Sequence, residues 1–276
     1  MMKPLLLTLG LLVSALSYAQ YYYKDIHSTR QTTLQLSQYK KAGIKSVTVT
    51  SFENDGSKTE DFNGAQTVGN NYAFIKTVFN TALAGESELT TYFNTAGQLV
   101  KSIDTTDGSG SVSEYKYDAA GRISSITNVS TSPGMYKEKE VHMWTYNENG
   151  QPQSMLRIKN DVDTAYITFV LDEKGNVAEE NSRRNGVAQA SYYYYYDDKN
   201  RLTDVVTYNQ KAQRLLPIYI FEYSGNNTVS SMIVVPEGSD NYQRWVYEYN
   251  QSGLKTKETC FNKRRQMLGR IEYAYK

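Results

Sequence analysis

The chain of 276 residues has one cysteine, Cys260, two histidines, His27 and His142, and five prolines. A single thiol closes no intramolecular disulfide, so stability has to come from packing. Cys260 reads as a half-buried structural thiol, since a reactive thiolate needs a cationic microenvironment. The sequence contains no Gly-x-Ser-x-Gly, P-loop, His-Glu-x-x-His or Cys-x-x-Cys, which leaves hydrolase, nucleotide and zinc chemistry without a motif. Charge of either sign is not in excess, with 30 Lys and Arg against 29 Asp and Glu. That balance excludes the electrostatic footprint of a DNA- or RNA-binding protein, and Lys263-Arg264-Arg265 is short enough to read as a solvated turn.

Long apolar runs are also missing after the first 13 residues. Met1-Met-Lys3, the run Pro4 to Val13 and the small-x-small site Ser17-Tyr18-Ala19 have the form of a secretory signal peptide. Residues 1–19 are therefore expected to be removed, leaving Gln20 first and, with Lys3 gone, 29 basic against 29 acidic residues. No cysteine follows the apolar run, so lipidation there is not expected, and no membrane span is expected after cleavage. The expected location is periplasm, outer surface or medium.

What the chain does have is tyrosine, 25 of them, and a repeat. Aligned on one turn residue, the units are anchored at Gly56, Gly97, Gly121, Gly150, Gly175, Asn200, Asn227 and Gly253, at intervals of 41, 24, 29, 25, 25, 27 and 26. Four residues before each anchor stand Phe52, Phe93, Tyr117, Tyr146, Leu171, Tyr196, Tyr223 and Tyr249, and two before those come mostly aromatics, such as Tyr115, Trp144, Phe169 and Tyr194. Positions two apart share one face of a strand, so each incoming strand carries an aromatic stripe on its buried side. The intervening residues, Lys116, Thr145 and Glu248 among them, are mostly polar and face the other way. Three residues before the anchor comes Asp or Asn in six of the eight units, the residue that bonds its own backbone in a type I turn. The anchor then needs positive φ, which Gly takes freely and Asn tolerates. Each unit is strand, three-residue turn with a bulge, strand. The returning strands alternate too weakly to assign their inward face.

Tyr115-Lys-Tyr117-Asp118-Ala-Ala-Gly121-Arg122-Ile123 resembles the YD-repeat, or Rhs-repeat, unit, and Tyr194-Tyr-Tyr196-Asp197-Asp-Lys-Asn200-Arg201-Leu202 matches it with one Gly to Asn change. Other units keep the frame and lose the arginine, as in Tyr247-Glu-Tyr249-Asn250-Gln-Ser-Gly253-Leu254, so the resemblance covers residues 44–276 as a degenerate array. Large members of that family look like hollow β-shells around a C-terminal toxin. Here the array runs to Tyr273-Ala-Tyr275-Lys276, and a toxin role is not expected.

The expected organisation is a signal peptide at 1–19, an N-terminal cap segment at 20–43 and one repeat domain at 44–276. The expected fold is all-β, an antiparallel hairpin meander of about 17 strands, too broad a sheet to stay flat. It either curls into an open trough or barrel-like shell, which the resemblance favours, or folds over as a sandwich. Residues 27–43 read two ways, since Thr33-Leu-Gln-Leu36 alternates like a strand, but Ser28-Thr-Arg-Gln31 fits a capping box and Gly43 a C-cap, which favours a short helix shielding the edge of the first hairpin. The stretch Gly64 to Gly85 is an insertion or an extra hairpin.

For function, no cofactor, metal site or catalytic constellation is expected. Calcium at the turns would lack clustered oxygen ligands. The sequence points to an exported, non-catalytic module of the bacterial cell envelope that binds glycan or protein or serves a structural role. The alternative is an enzyme acting on envelope polysaccharide through His142 or an unrecognised carboxylate pair. Exposed tyrosines on a rigid sheet give contact area at little entropic cost. On that ground Tyr92, Tyr193, Tyr195 and Trp245 are the candidate binding residues.

Overall fold

The computed structural model describes residues 21–276 apart from 82–84, 107, 135–136, 237–238 and 240. The expected leader and its cleavage point before Gln20 lie outside the described residues. One helix, α1 (Lys24–Ala42), is followed by β1 (Ser46–Glu53), β2 (Asn63–Val68), β3 (Phe74–Thr81), β4 (Gly85–Phe93), β5 (Leu99–Thr106), β6 (Ser109–Tyr117) and β7 (Ile123–Thr131). Then come β8 (Glu138–Tyr146), β9 (Pro152–Lys159), β10 (Asp163–Leu171), β11 (Val177–Arg184), the two-residue β12 (Val187–Ala188) and β13 (Tyr192–Tyr196). The chain ends with β14 (Leu202–Asn209), β15 (Arg214–Tyr223), β16 (Val229–Val234), β17 (Gln243–Tyr249), β18 (Lys255–Asn262) and β19 (Met267–Tyr275).

Each strand pairs antiparallel with the next, and β13 takes over from the spur β12 beside β11. The last strand returns to the first, from Val47↔Tyr275 to Glu53↔Gly269. The sheet therefore closes into a barrel of 18 strands with no free edge. Trough and sandwich are both set aside by that one pairing.

The turns follow the expected chemistry. At the β6–β7 hairpin Asp118 Oδ1 accepts the N–H groups of Ala120 (3.0 Å) and Arg122 (2.9 Å), and Gly121 has φ +78°. Asn200 and Asn227 take the same left-handed conformation at +58° and +66°. A register shift beside the turn marks the bulge, as between Lys116 and Tyr117. The stretch Gly64 to Gly85 is an extra hairpin, paired from Asn63↔Asn80 to Val68↔Ile75. Its presence shifts the phase: the Gly56 turn joins β1 to β2 at the opposite end of the barrel from the other seven anchors. A turn of the same construction, unmarked by glycine, joins β18 to β19 at that opposite end, where Asn262 Oδ1 accepts the N–H groups of Arg264 and Gln266.

Along each incoming strand Trp144, Phe169 and Tyr194 point into the barrel and are buried, while Met143, Val170 and Tyr195 point out. The returning strands resolve too: Leu99, Ile123, Val177 and Leu202, two residues past their anchors, are all buried.

The seams between hairpins show why the tyrosine four residues before the anchor recurs. Their ladders stop short of the turn end, at Lys101↔Glu114, Ser125↔Met143, Asp204↔Ile220 and Lys257↔Glu272. Beyond the last rung the strands splay, which would leave carbonyls unpaired. The tyrosine hydroxyl of one unit fills the gap by donating to the carbonyl two residues past the preceding anchor. Tyr117 bonds Leu99 O (2.7 Å), Tyr146 Ile123 O (2.8 Å), Tyr196 Val177 O (2.9 Å), Tyr223 Leu202 O (2.8 Å), Tyr249 Val229 O (2.8 Å) and Tyr275 Lys255 O (2.5 Å). The β9–β10 seam breaks the series, because Leu171 replaces the tyrosine and Pro152 stands at the acceptor position.

α1 is longer than expected and does a different job. It does not cover an edge, because closure leaves none. Leu36 and Tyr39 pack on Val47, Val68, Ile75, Phe93, Leu99 and Leu254, the inner faces of β1 to β5 and the start of β18. At its other end Tyr22 is buried among Trp144, Met155, Ile167 and Tyr194 on the opposite wall. The helix thus crosses the barrel interior. Gly43 ends it with φ +72° and its N–H on Lys40 O, as the sequence suggests. The capping box fails: Ser28 lies inside the helix and bonds Asp25 O, while the N-cap Tyr23 offers no side-chain cap.

Candidate functional site

The helix N-terminus is capped from across the barrel. Glu180 on β11 accepts the Tyr22 N–H at 2.8 Å and the Tyr23 N–H at 2.9 Å, and the Tyr194 hydroxyl donates to it at 2.7 Å. A carboxylate facing the first N–H groups of a helix complements its positive end. Glu180 is only 1% exposed, and burial raises its pKa to about 6 against the opposing effect of those donors.

Beside it, Glu140 and His142 are two apart on β8 and so share the inner face, and Arg157 on β9 stands opposite His142. His142 Nδ1 lies 2.6 Å from Asp25 Oδ2 of the helix, and its Nε2 2.9 Å from Glu140 Oε1. Arg157 donates from Nε to Glu140 Oε2 (2.7 Å) and from Nη1 to Asp163 Oδ2 (3.3 Å), and Arg184 Nε reaches Asp163 Oδ1 (2.7 Å). Burial alone would discharge the imidazole, but the two carboxylates win and raise His142 to about 9. Glu140 is held down at about 2, where His142 and Arg157 outweigh its own burial.

Both ring nitrogens of His142 are thus engaged by carboxylates, buried under the helix, and those carboxylates favour its charged form. His27 rides on the helix with its ring edge-on to Tyr23 at 4.6 Å, and burial lowers it to about 4. Among the described residues no cluster of three or more His, Cys, Asp or Glu is arranged to hold a metal. The interior polar network is a clamp on α1. Sequence reasoning missed it because its members lie on six separate elements; the one local signal was the Glu140-x-His142 spacing on an inward face.

The outer wall scatters the four candidate tyrosine and tryptophan positions. Trp245 is 6% exposed and points inward, in register with Met232 and Cys260, so its place on the outer face is corrected: it follows the inward period of β17. Tyr92, on β4, packs against Phe74 of β3, far round the wall from the other two. Tyr193 and Tyr195 remain together on the outer face of β13, with Tyr195 50% exposed. They floor a groove of about 530 Å³ lined also by Val170, Glu173, Lys174 and Glu179. The groove exists because β11 and β13 pair only at Glu179↔Tyr193 and Glu180↔Tyr192, the shortest ladder between neighbouring full strands, before splaying toward the turns. Tyr166 and Met143 add further exposed apolar area on the neighbouring strands β10 and β8.

Residues 93–132 match the RHS Repeat family model. No curated protein matches the chain. Among solved structures, the Tc holotoxin pore of Photorhabdus luminescens is similar over 78% of this chain at 12% identity, with a TM-score of 0.34. The chain spans only 12% of that toxin chain's length. A porin-like protein from Bacteroides uniformis is similar over 84% of this chain and 98% of its own, at 9% identity and a TM-score of 0.40. A second porin-like protein, from Bacteroides vulgatus, is 12% identical over 84% of this chain and 98% of its own, with a TM-score of 0.27. The match at 93–132 spans the Gly97 and Gly121 turns, so this stretch carries the RHS repeat, and a turn of the same construction recurs at five further hairpins on that end of the barrel, from Gly150 to Gly253.

Proposed function

We propose that the protein is an exported, non-catalytic RHS-repeat barrel of the bacterial cell envelope that binds a glycan or a protein through its outer wall. One observation carries this reading: the inside is filled and clamped by α1, whereas the outer face over β8 to β13 leaves Met143, Tyr166, Val170 and Tyr195 about half exposed around a tyrosine-floored groove. Rigid, exposed tyrosines are the side chains that recognition surfaces favour. The enzyme alternative is weakened by the chemistry of His142, whose nitrogens both face carboxylates.

Export is supported by the leader-like sequence of residues 1–19. Fractionation of the native host with N-terminal mass spectrometry is expected to find the protein outside the cytoplasm and beginning at Gln20; an intact Met1 in the cytosol would refute export. A glycan and envelope-protein binding screen with the processed protein, repeated with Tyr193→Ala/Tyr195→Ala, is expected to give a hit that the double variant loses. Hits that survive the double variant would place the binding surface elsewhere.

A further inference from the structure

The barrel repeats one small device: a cation held between a carboxylate and an aromatic ring. Arg122 pairs with Asp118 through its Nη2 at 2.7 Å and lies 4.5 Å over the Tyr146 ring. Arg201 does the same with Asp197 and Tyr223, at 4.4 Å from the ring, and Lys255 with Glu258 and Tyr247, also at 4.4 Å. On Arg270 the pattern recurs with Glu272 at 2.9 Å and the Phe52 ring at 4.3 Å. Elsewhere on the outer wall charges pair across strands, as in Lys76–Glu88, Arg244–Glu222 and Lys257–Glu248.

At the groove the device is incomplete. Register puts Glu179 directly opposite Tyr193 and Asp204 directly opposite Tyr195, all on the outer face. Each pair supplies the ring and the carboxylate. Among the described residues neither Glu179 nor Asp204 has a cation within salt-bridge distance, and the exposed Glu173 on the rim has none either. Lys174, the one base lining the groove, sits in the turn beside Glu173.

We propose that the partner supplies the missing cations: the groove takes an extended protein segment with basic residues at alternate positions, one over Tyr193 beside Glu179 and one over Tyr195 beside Asp204. The spacing follows from strand geometry, since residues i and i+2 on one face of β13 are separated by the same ~6.8 Å as i and i+2 of an extended peptide. A cation over a tyrosine face with a carboxylate alongside is favoured by both the ring quadrupole and charge. This inference rests on the outer-wall reading above and narrows it from glycan or protein to a basic peptide.

The test is fluorescence anisotropy of a labelled Ser-Arg-Ser-Arg-Ser peptide titrated with the full processed chain, beside the same peptide with citrulline for arginine and a panel of neutral oligosaccharides. The arginine peptide is expected to bind and the citrulline peptide to bind about tenfold or more weakly. Glu179→Gln/Asp204→Asn, which removes charge from half-buried positions on the outer face without touching the core, is expected to cost a similar factor, and rising salt to weaken binding. Equal binding of both peptides, or full affinity in the Gln/Asn variant, overturns the basic occupant. An oligosaccharide that binds and is lost with Tyr193→Ala/Tyr195→Ala, while the arginine peptide does not bind, overturns the occupant and keeps the surface. Ligands from the screen that all ignore the tyrosines overturn the surface itself.

Discussion

Raising the pH from 6 to 8.5 should loosen the hold on α1, and His142 should account for it. In the folded chain its pKa is raised to about 9 from an unfolded value of 6.5. A group raised in this way contributes stability that is complete below pH 6.5 and disappears as pH climbs through 9. At roughly 1.36 kcal/mol per pH unit the full contribution is about 3 kcal/mol, of which about 2 is lost between pH 6 and 8.5. Neighbouring groups move stability less than His142 in that window. Glu180, raised from 4.5 to about 6, loses its contribution mostly at lower pH, and Glu140, held at about 2, forfeits its own only in strong acid. His27, lowered to about 4 from 6.5, works in the opposite direction, adding a little under about 1 kcal/mol between pH 6 and 8.5 in both proteins, while Tyr22 and Cys260 at about 12 begin to matter only above the window. The assay is urea denaturation followed by tryptophan fluorescence at half-unit steps, comparing the natural chain with Asp25→Asn/His142→Gln. The natural chain should fall by about 2 kcal/mol relative to the double variant, which keeps a polar contact without the charges. Parallel curves for the two proteins would refute the clamp.

The tyrosine bridges predict that Tyr146→Phe, which leaves Ile123 O without its donor, costs about 1 to 2 kcal/mol, whereas Tyr195→Phe on the outer wall stays within about 0.5 by denaturant midpoint. Tyr117→Ala should cost about 3 kcal/mol through lost packing and the lost bridge to Leu99 O, with Lys116→Ala within about 0.5; equal effects would reverse the face assignment. Gly121→Val forces a β-branched residue into φ +78° and should lose at least about 1 kcal/mol, while Asn200→Gly is neutral or slightly stabilising. A wild-type unfolding midpoint for Gly121→Val would mean that the turns are misplaced.

The hairpins were legible because their code is local: Asp118, Gly121 and the aromatic at 117 lie within five residues, and each carries a reason for its place. Phase was not. The turn at Gly56 obeys the same chemistry as the rest, and no residue inside a turn records which end of a barrel it occupies. The extra hairpin of β2 and β3 alone sets that, through strand count. Closure was half legible, since breadth demands curling but only the Val47↔Tyr275 pairing distinguishes a barrel from a trough. The helix was misread for a physical reason: α1 is polar around most of its circumference and buries Leu36, Tyr39 and Thr29, so its surroundings have to be polar too. Those surroundings come from Glu140, His142, Arg157 and Glu180, scattered over three strands, and no sequence window contains them together. Trp245 failed for the opposite reason, because its inward face follows from strand phase, which a rare aromatic residue tempts one to overlook.

The order of assembly follows from where the ring is joined. Ser46 and Lys276 exchange backbone hydrogen bonds, so the seam that completes the wall joins the first strand to the last. Neighbouring hairpins can zip as they emerge, but this contact waits for the whole chain and bears the largest loop-closure entropy in the molecule. Until then the interior is open along one side, and a 19-residue helix with a bound carboxylate at its tip has a lateral route in. Afterwards it has none without breaking a seam. The helix thus acts as a mandrel around which the wall is wound, and a chain whose last strand is withheld should expose one to solvent.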